Sequence, residues 1–225
     1  MNIVNDKVTA YIDSLYQPVN EFLKDLRQSA EADQIPIILR DTETLILNLI
    51  RLKKPARILE IGTAVGYSSI CFASALPNVE ITSLEINQAM YRIASENIEK
   101  AGLTHRIRLI LGDARKNLKT LTAAIKNVET EGYDMVFIDA AKSRYLEFFS
   151  ESSKLCKPES VIISDNVLLK ARTVSDEYIT DRRQKTSVRR MREYLPHITN
   201  PAVADTSVLA VGDGVAVSII NRRNL

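Results

Sequence analysis

The 225-residue sequence has no tryptophan, two cysteines, two histidines and only seven glycines. Each shortage closes off some chemistry. Cys71 and Cys156 stand singly in apolar surroundings, Ile70-Cys71-Phe72 and Leu155-Cys156, with no CxxC spacing. That excludes a disulfide framework and a thiolate metal site; both read as buried thiols. His105 and His197 fall away from the acidic positions described below, so a histidine metal centre and a histidine base are not expected. The missing tryptophan and the 6% aromatic content speak against a flat aromatic pocket. No apolar run is long enough to cross a bilayer. The opening Met1-Asn2-Ile3-Val4-Asn5-Asp6-Lys7 lacks the basic and then apolar order of a signal peptide. The expectation is a cytoplasmic protein with no membrane partner.

Net charge is +2, too small to name a partner, but it is unevenly spread. The span from Lys170 to Arg192 carries eight basic residues (Lys170, Arg172, Arg182, Arg183, Lys185, Arg189, Arg190 and Arg192) against Asp176, Glu177 and Asp181. That is a local net of +5, leaving −3 for the rest of the chain.

What is present is periodicity. Apolar positions recur at three- and four-residue spacing from 4 to 33, predicting a helix that ends before Pro36. A second helix is expected over 41–53, opening at Asp41 or Thr42. After Pro55, short apolar runs alternate with amphipathic stretches. Strands are predicted at 57–61, 79–84, 106–111, 133–138 and 160–164, with helices at 66–76, 87–101, 115–128 and 143–156. That alternation predicts an α/β fold with a mainly parallel sheet covered on both faces. Val208–Val211 and Val215–Ile220, joined through Gly212-Asp213-Gly214, predict a closing antiparallel hairpin and bring the sheet to seven strands. No linker or repeat interrupts the chain. It reads as one domain over 1–225, an N-terminal helical cap (1–54) on a core (55–225) with a basic insertion at 168–195.

The strand ends carry the chemistry. Gly62-Thr63-Ala64-Val65-Gly66 follows the first strand and opens a helix, where backbone N–H groups meet a ligand. The spacing is GxxxG and not GxGxxG, which favours a ligand without a pyrophosphate. Glu60 at this strand end is placed to hold an amino group. Glu85 ends the second strand and suits ribose hydroxyls. Asp113, in Gly112-Asp113-Ala114 after the third strand, is placed to meet an adenine amino group. Asp139 ends the fourth strand, and Asp165-Asn166 ends the fifth. Three oxygen ligands without histidine or cysteine suit a hard cation such as Mg²⁺. Lys142, three residues after Asp139, is either a general base beside that cation or a surface lysine paired with Asp139.

In their order, Glu60-Ile61-Gly62…Gly66-Tyr67-Ser68, Glu85, Gly112-Asp113-Ala114, Asp139-Ala140-Ala141-Lys142…Tyr145 and Asp165-Asn166-Val167 resemble the cation-dependent O-methyltransferases. That family includes the catechol and caffeoyl-CoA enzymes, and the similarity runs over about 36–220. It implies a Rossmann-like class I methyltransferase fold, S-adenosylmethionine as cofactor and a homodimer. By this resemblance Asp139, Asp165 and Asn166 are metal ligands and Lys142 is the base. Ile38, Gly62, Ser68, Glu85, Ala114 and Asp139 would line the cofactor. Glu43 departs from the family, which usually has glycine in that segment.

The basic insertion bears on the substrate. Clustered arginines beside an active site suit phosphates, although a charged helix face is often only solvated. Lys185-Thr186…Val188-Arg189-Arg190-Met191-Arg192 further resembles the bacterial tRNA 5-hydroxyuridine methyltransferases, which form 5-methoxyuridine at the wobble position. That implies tRNA as partner, with Arg172, Arg182, Arg183, Lys185, Arg189, Arg190 and Arg192 on the anticodon loop. Two other readings stand beside it. One is a small-molecule methyltransferase for catechols or caffeoyl-CoA-like esters, whose CoA phosphates the same arginines would attract. The other is a non-catalytic RNA-binding protein, against which the intact Asp139, Lys142, Asp165 and Asn166 set argues.

Overall fold

The computed structural model describes residues 5–220. Its sheet runs in the order β3-β2-β1-β4-β5-β7-β6. The strands are β1 (Arg57–Ile61), β2 (Glu80–Glu85), β3 (Ile107–Leu111), β4 (Tyr133–Ile138), β5 (Cys156–Ser164), β6 (Asp205–Leu209) and β7 (Val215–Ile219). The first five are parallel, and β7 pairs antiparallel with both β5 and β6. This is the expected seven-stranded Rossmann-like sheet with its closing hairpin.

Because strand side chains alternate between faces, each central strand feeds two cores. Ile58, Ile81, Met135, Phe137 and Ile163 point to one face, and Leu59, Leu84, Val136, Ile138 and Ile162 to the other. On the first face lie α2 (Glu21–Ala32), α3 (Arg40–Lys53), α4 (Tyr67–Ala75) and α5 (Gln88–Lys100); Leu23, Ile46, Ile50, Phe72 and Ile98 belong to that cluster. The second face is covered by α6 (Ala114–Ala124), α8 (Tyr145–Ser153) and α9 (Lys185–Ile198), through Leu118, Phe149, Met191 and Tyr194. The order reverses between β1 and β4, so a crevice opens at their carboxyl ends.

Several boundaries differ from the sequence expectation. The helix expected over 4–33 is two helices, α1 (Asp6–Ser14) and α2, and its first residue lies outside the described ones. Pro18, without an N–H, sits in the break, and Asn20 restarts the helix by accepting from Leu23 N at 2.9 Å. The helix expected over 115–128 ends at Ala124, and a short α7 (Val128–Glu131) follows, capped by Asn127. Strand β5 begins four residues early, at Cys156, with a register shift against β4. The hairpin has a longer loop than expected. Pairing ends at Leu209 and Val215, because the loop bonds elsewhere: Gly212 N donates to Asp41 Oδ2 (2.7 Å) and Leu168 N to Asp213 O (3.0 Å).

Candidate active site

At the reversal point, backbone bonds lock the strand ends together. Gly62 N donates to Leu84 O (3.0 Å), Asp139 N to Ile61 O (2.9 Å) and Asp165 N to Ile138 O (3.0 Å). Gly62 has φ +102°, and a Cβ there would stand 2.0 Å from the carbonyl oxygen of Asp139. Only glycine lets the turn after β1 approach β4 so closely.

A cavity of about 790 Å³ opens over these ends. Ile38, Gly62, Ser68, Glu85, Asp113, Ala114, Asp139, Lys142, Asp165 and Asn166 all line it. Of the cofactor residues expected from sequence, Glu60 and Gly66 do not. Glu60 is fully buried beneath the turn. Its carboxylate accepts from the hydroxyls of Ser68, at 2.5 Å, and of Ser69 and Ser83. Burial pushes it up to about 7, against the lowering effect of those hydroxyls. It therefore does not reach the cavity itself and instead holds Ser68, which does. Gly66 packs against Ala94 and starts α4 with φ +84°.

The remaining acids are already engaged. Glu85 Oε2 accepts from Thr63 N (3.2 Å) and Ala64 N (2.9 Å), and Oε1 from Asn87 N (2.7 Å), so it braces the glycine turn from the cavity wall. Asp113 caps α6 through Arg115 N (2.9 Å) and pairs with the Arg115 guanidinium at 2.5 Å. That arginine holds its carboxyl down to about 2.

The floor of the cavity is a nest of oxygens. Lys142 Nζ donates to Asp139 Oδ1 (2.6 Å), Asn166 Oδ1 (2.8 Å) and the Tyr145 hydroxyl (2.8 Å). The Tyr145 oxygen lies 3.1 Å from Ile138 O and 2.9 Å from Asp165 O, joining the ends of β4 and β5. Asp165 is buried; Oδ1 accepts from Asn166 N (2.7 Å), whereas Oδ2 has no hydrogen-bond partner. Burial, then the Asp139 charge, push its carboxyl up to about 8. A buried carboxylate oxygen without a donor is costly unless something cationic meets it. The three side chains thus fit a hard cation. Among the described residues no three His, Cys, Asp or Glu side chains form a metal cluster, since Asn166 supplies the third oxygen here.

Two participants went unread in the sequence. Tyr145 was visible only as part of the Asp139–Tyr145 motif, with no role. Asp213 read as a turn residue. It lines the cavity, and its Oδ1 accepts from the backbone N–H of Lys170, another lining residue. Both histidines are exposed; His197 lies edge-on to Phe149.

The basic segment divides. Arg182, Arg183, Lys185, Arg189 and Arg190 are exposed. Arg183 pairs with Asp181 (2.9 Å), and Arg189 and Arg190 share Glu193 (3.1 and 2.8 Å). Arg192 is exposed as well. Its guanidinium donates to Thr173 O (3.0 Å), Arg172 O (2.9 Å) and Asp176 Oδ1 (2.6 Å), clamping the loop after β5. That clamp uses three of its N–H groups and leaves the side chain 38% exposed. Arg172 is partly buried, with Nε inside and unpartnered. Of the seven basic residues expected on the anticodon loop, it alone is not fully in the exposed row.

The family model described as O-methyltransferase matches residues 13–221. The chain belongs to the O-methyltransferase family. This O-methyltransferase is 34% identical over 227 residues to the catechol O-methyltransferase of Niastella koreensis, covering 97% of this chain and 99% of that one. It is 34% identical over 151 residues to the O-methyltransferase imqG of Aspergillus flavus, spanning 67% of this chain and 60% of that one. A Staphylococcus aureus crystal structure, provisionally named a caffeoyl-CoA O-methyltransferase, shares 32% identity and superposes with a TM-score of 0.87, covering 96% and 100% of the two chains. A Bacillus cereus O-methyltransferase solved with S-adenosylhomocysteine shares 27% identity at a TM-score of 0.80, covering 96% and 97%.

Proposed function

We propose that this O-methyltransferase uses S-adenosylmethionine and a divalent cation such as Mg²⁺ to methylate one of two adjacent oxygens on its substrate. The oxygen nest carries the reading. Asp139 Oδ1 and Asn166 Oδ1 converge on one cationic atom, and the unpartnered Asp165 Oδ2 completes a hard donor set beside them. This nest shares its cavity with the glycine turn, Ser68, Glu85 and Asp113, the stretch suited to S-adenosylmethionine. When bound, S-adenosylmethionine supplies an activated methyl group, and the cation favours the anionic form of a chelated oxygen.

The chain's own residues do the rest. In its neutral amine form, Lys142 Nζ, at the centre of the nest, is placed to take the proton of the oxygen to be methylated and so become the ammonium. Tyr145 holds that amine from behind through a 2.8 Å bond. Ile38, Ile61, Ile86 and Phe148 supply apolar lining to the same cavity.

Substrate naming follows from two different observations. The similarity to a catechol O-methyltransferase along nearly its full length favours a small catechol-type acceptor, with caffeoyl-CoA-like esters in the same class. The exposed basic row, with Lys170 at the cavity wall, favours a second reading: 5-hydroxyuridine at the tRNA wobble position, converted to 5-methoxyuridine. Its 5-hydroxyl and 4-oxo groups are neighbours, as in a catechol, and an anticodon loop is already unpaired.

Methyl-labelled S-adenosylmethionine with Mg²⁺ separates the two when offered catechols, caffeoyl-CoA and tRNA carrying 5-hydroxyuridine. Label on the phenols alone supports the first reading. Label on tRNA, reduced in Arg189→Ala/Arg190→Ala together with a flatter salt dependence, supports the second. No label on any of them overturns both.

A further inference from the structure

Behind the cavity wall lies a buried ion pair that methyl transfer does not use. Arg27, on α2, is 4% exposed, and Glu43, on α3, is fully buried. Arg27 NH2 donates to Glu43 Oε2 at 2.6 Å and to the carbonyl of Ile38 at 2.9 Å, and Nε donates to the Tyr67 hydroxyl at 3.1 Å. Tyr67 in turn donates to Glu43 Oε2 and Tyr16 to Glu43 Oε1, each at 2.8 Å. The guanidinium carbon lies 4.6 Å from the Tyr67 ring centre and 5.4 Å from that of Tyr16. One cation thereby ties together α2, α3, the first turn of α4, the α1–α2 link and the strip between α2 and α3.

Stability alone is a poor reason for this arrangement. Desolvating two charges costs several kcal/mol each, and apolar residues of similar volume often replace such pairs without loss. The bonds point to a different use. Both Tyr67 and the strip Pro36–Leu39 line the cavity. The strip has no regular secondary structure of its own, so its carbonyls need partners from elsewhere. Arg27 supplies one to Ile38, a buried residue at the cavity wall.

We propose that Arg27 and Glu43 are positioning residues for the cofactor, a buried latch that sets Pro36–Leu39 against Tyr67 before the cofactor enters. The proposal rests on the reading that this cavity takes S-adenosylmethionine. A preset wall removes the cost of ordering it on binding, so the latch acts on cofactor affinity and not on the methyl-transfer step.

The test is calorimetric titration of S-adenosylmethionine into the full-length protein, with thermal unfolding and saturating kcat measured alongside. Arg27→Met/Glu43→Met replaces the pair by apolar side chains of similar size. Expected is a cooperative melt, a Kd raised about tenfold or more, and a kcat at saturating cofactor within about threefold of wild type. A folded double variant with wild-type Kd overturns the latch. Should the double variant fail to fold, Arg27→Lys decides. It keeps the charge opposite Glu43 but loses the planar fork that serves Ile38 and Tyr67 together. The same rise in Kd supports the proposal, and an unchanged Kd overturns it. A lowered Tm with Kd unmoved would mark a merely structural pair. Wild type that binds no S-adenosylmethionine would overturn the cofactor reading itself, a result separate from variants that bind as wild type does.

Discussion

Replacing Gly62 by alanine should damage fold and site together. The new Cβ would lie 2.0 Å from the Asp139 carbonyl oxygen, 2.8 Å from its carbon and 3.3 Å from Ala140 Cβ. The turn cannot simply back away, because Gly62 N is tied to Leu84 O and Asp139 N to Ile61 O. Two costs add. A non-glycine residue at φ +102° loses roughly 1–2 kcal/mol from the left-handed conformation. Forcing backbone apart in a packed interior adds about 1–3 kcal/mol. The sum, about 2–5 kcal/mol, corresponds to a fall in Tm of roughly 4–20 °C for a chain of this size. Gly102→Ala separates the terms, since Gly102 has φ +69° and a methyl group there would meet nothing within 4 Å; it should lose only about 1–2 kcal/mol. Thermal unfolding of both variants gives the stability arm. Titration with S-adenosylmethionine gives the functional arm: Gly62→Ala should bind weakly, because Asp139 moves with the strand end, whereas Gly102→Ala should bind as wild type. Equal melting of the two variants, with Gly62→Ala binding normally, would refute the close approach of β1 and β4 as the organiser of the site.

Lys142→Met should lower kcat by about 100-fold or more, within the range for losing a general base, while S-adenosylmethionine still binds. Retained turnover would remove Lys142 from the base role. Glu60 gives a pH prediction. Its folded value of about 7 exceeds the ordinary 4.5, so between those pH values the folded protein keeps a proton that the unfolded chain has released. Stability contributed by this group is present below pH 4.5 and declines as pH rises toward 7, by about 1.4 kcal/mol per pH step at most. Glu60→Gln cannot ionise. Its melting profile should lie flatter than wild type across pH 4.5–7, and parallel profiles would show that Glu60 does not titrate there.

Sequence periodicity carried the layered fold well because parallel strands buried on both faces are short apolar runs, as in Met135–Ile138. The acids at strand ends were legible for the same reason: the topology alone brings Glu85, Asp113, Asp139 and Asp165 to one edge. What stayed hidden depended on partners distant in the chain. Glu60 sits at a strand end like the others, yet Ser68, Ser69 and Ser83 turn it inward. Asp213 looks like half of a tight turn, yet it bonds the chain more than forty residues upstream, at Lys170. Arg192 belongs by composition to a basic patch, yet three of its N–H groups are bonded to the loop after β5. Glu43 showed only as a departure from the family pattern, because its partner Arg27 lies on a different helix. Local features fared similarly where two signals competed. Helical spacing ran straight through Pro18, and the proline with the Asn20 cap broke it.

The central claim is methyl transfer that depends on a cation held by Asp139, Asp165 and Asn166. Its most direct test follows methylation of an acceptor identified by the labelling experiment, before and after chelation with EDTA and again after Mg²⁺ is restored, in wild type and in Asp165→Ala. The account predicts activity lost to EDTA and recovered with Mg²⁺ in wild type. It predicts none in Asp165→Ala at any Mg²⁺ concentration, although that variant still binds S-adenosylmethionine. Full wild-type turnover in EDTA, or wild-type turnover by Asp165→Ala, would contradict it.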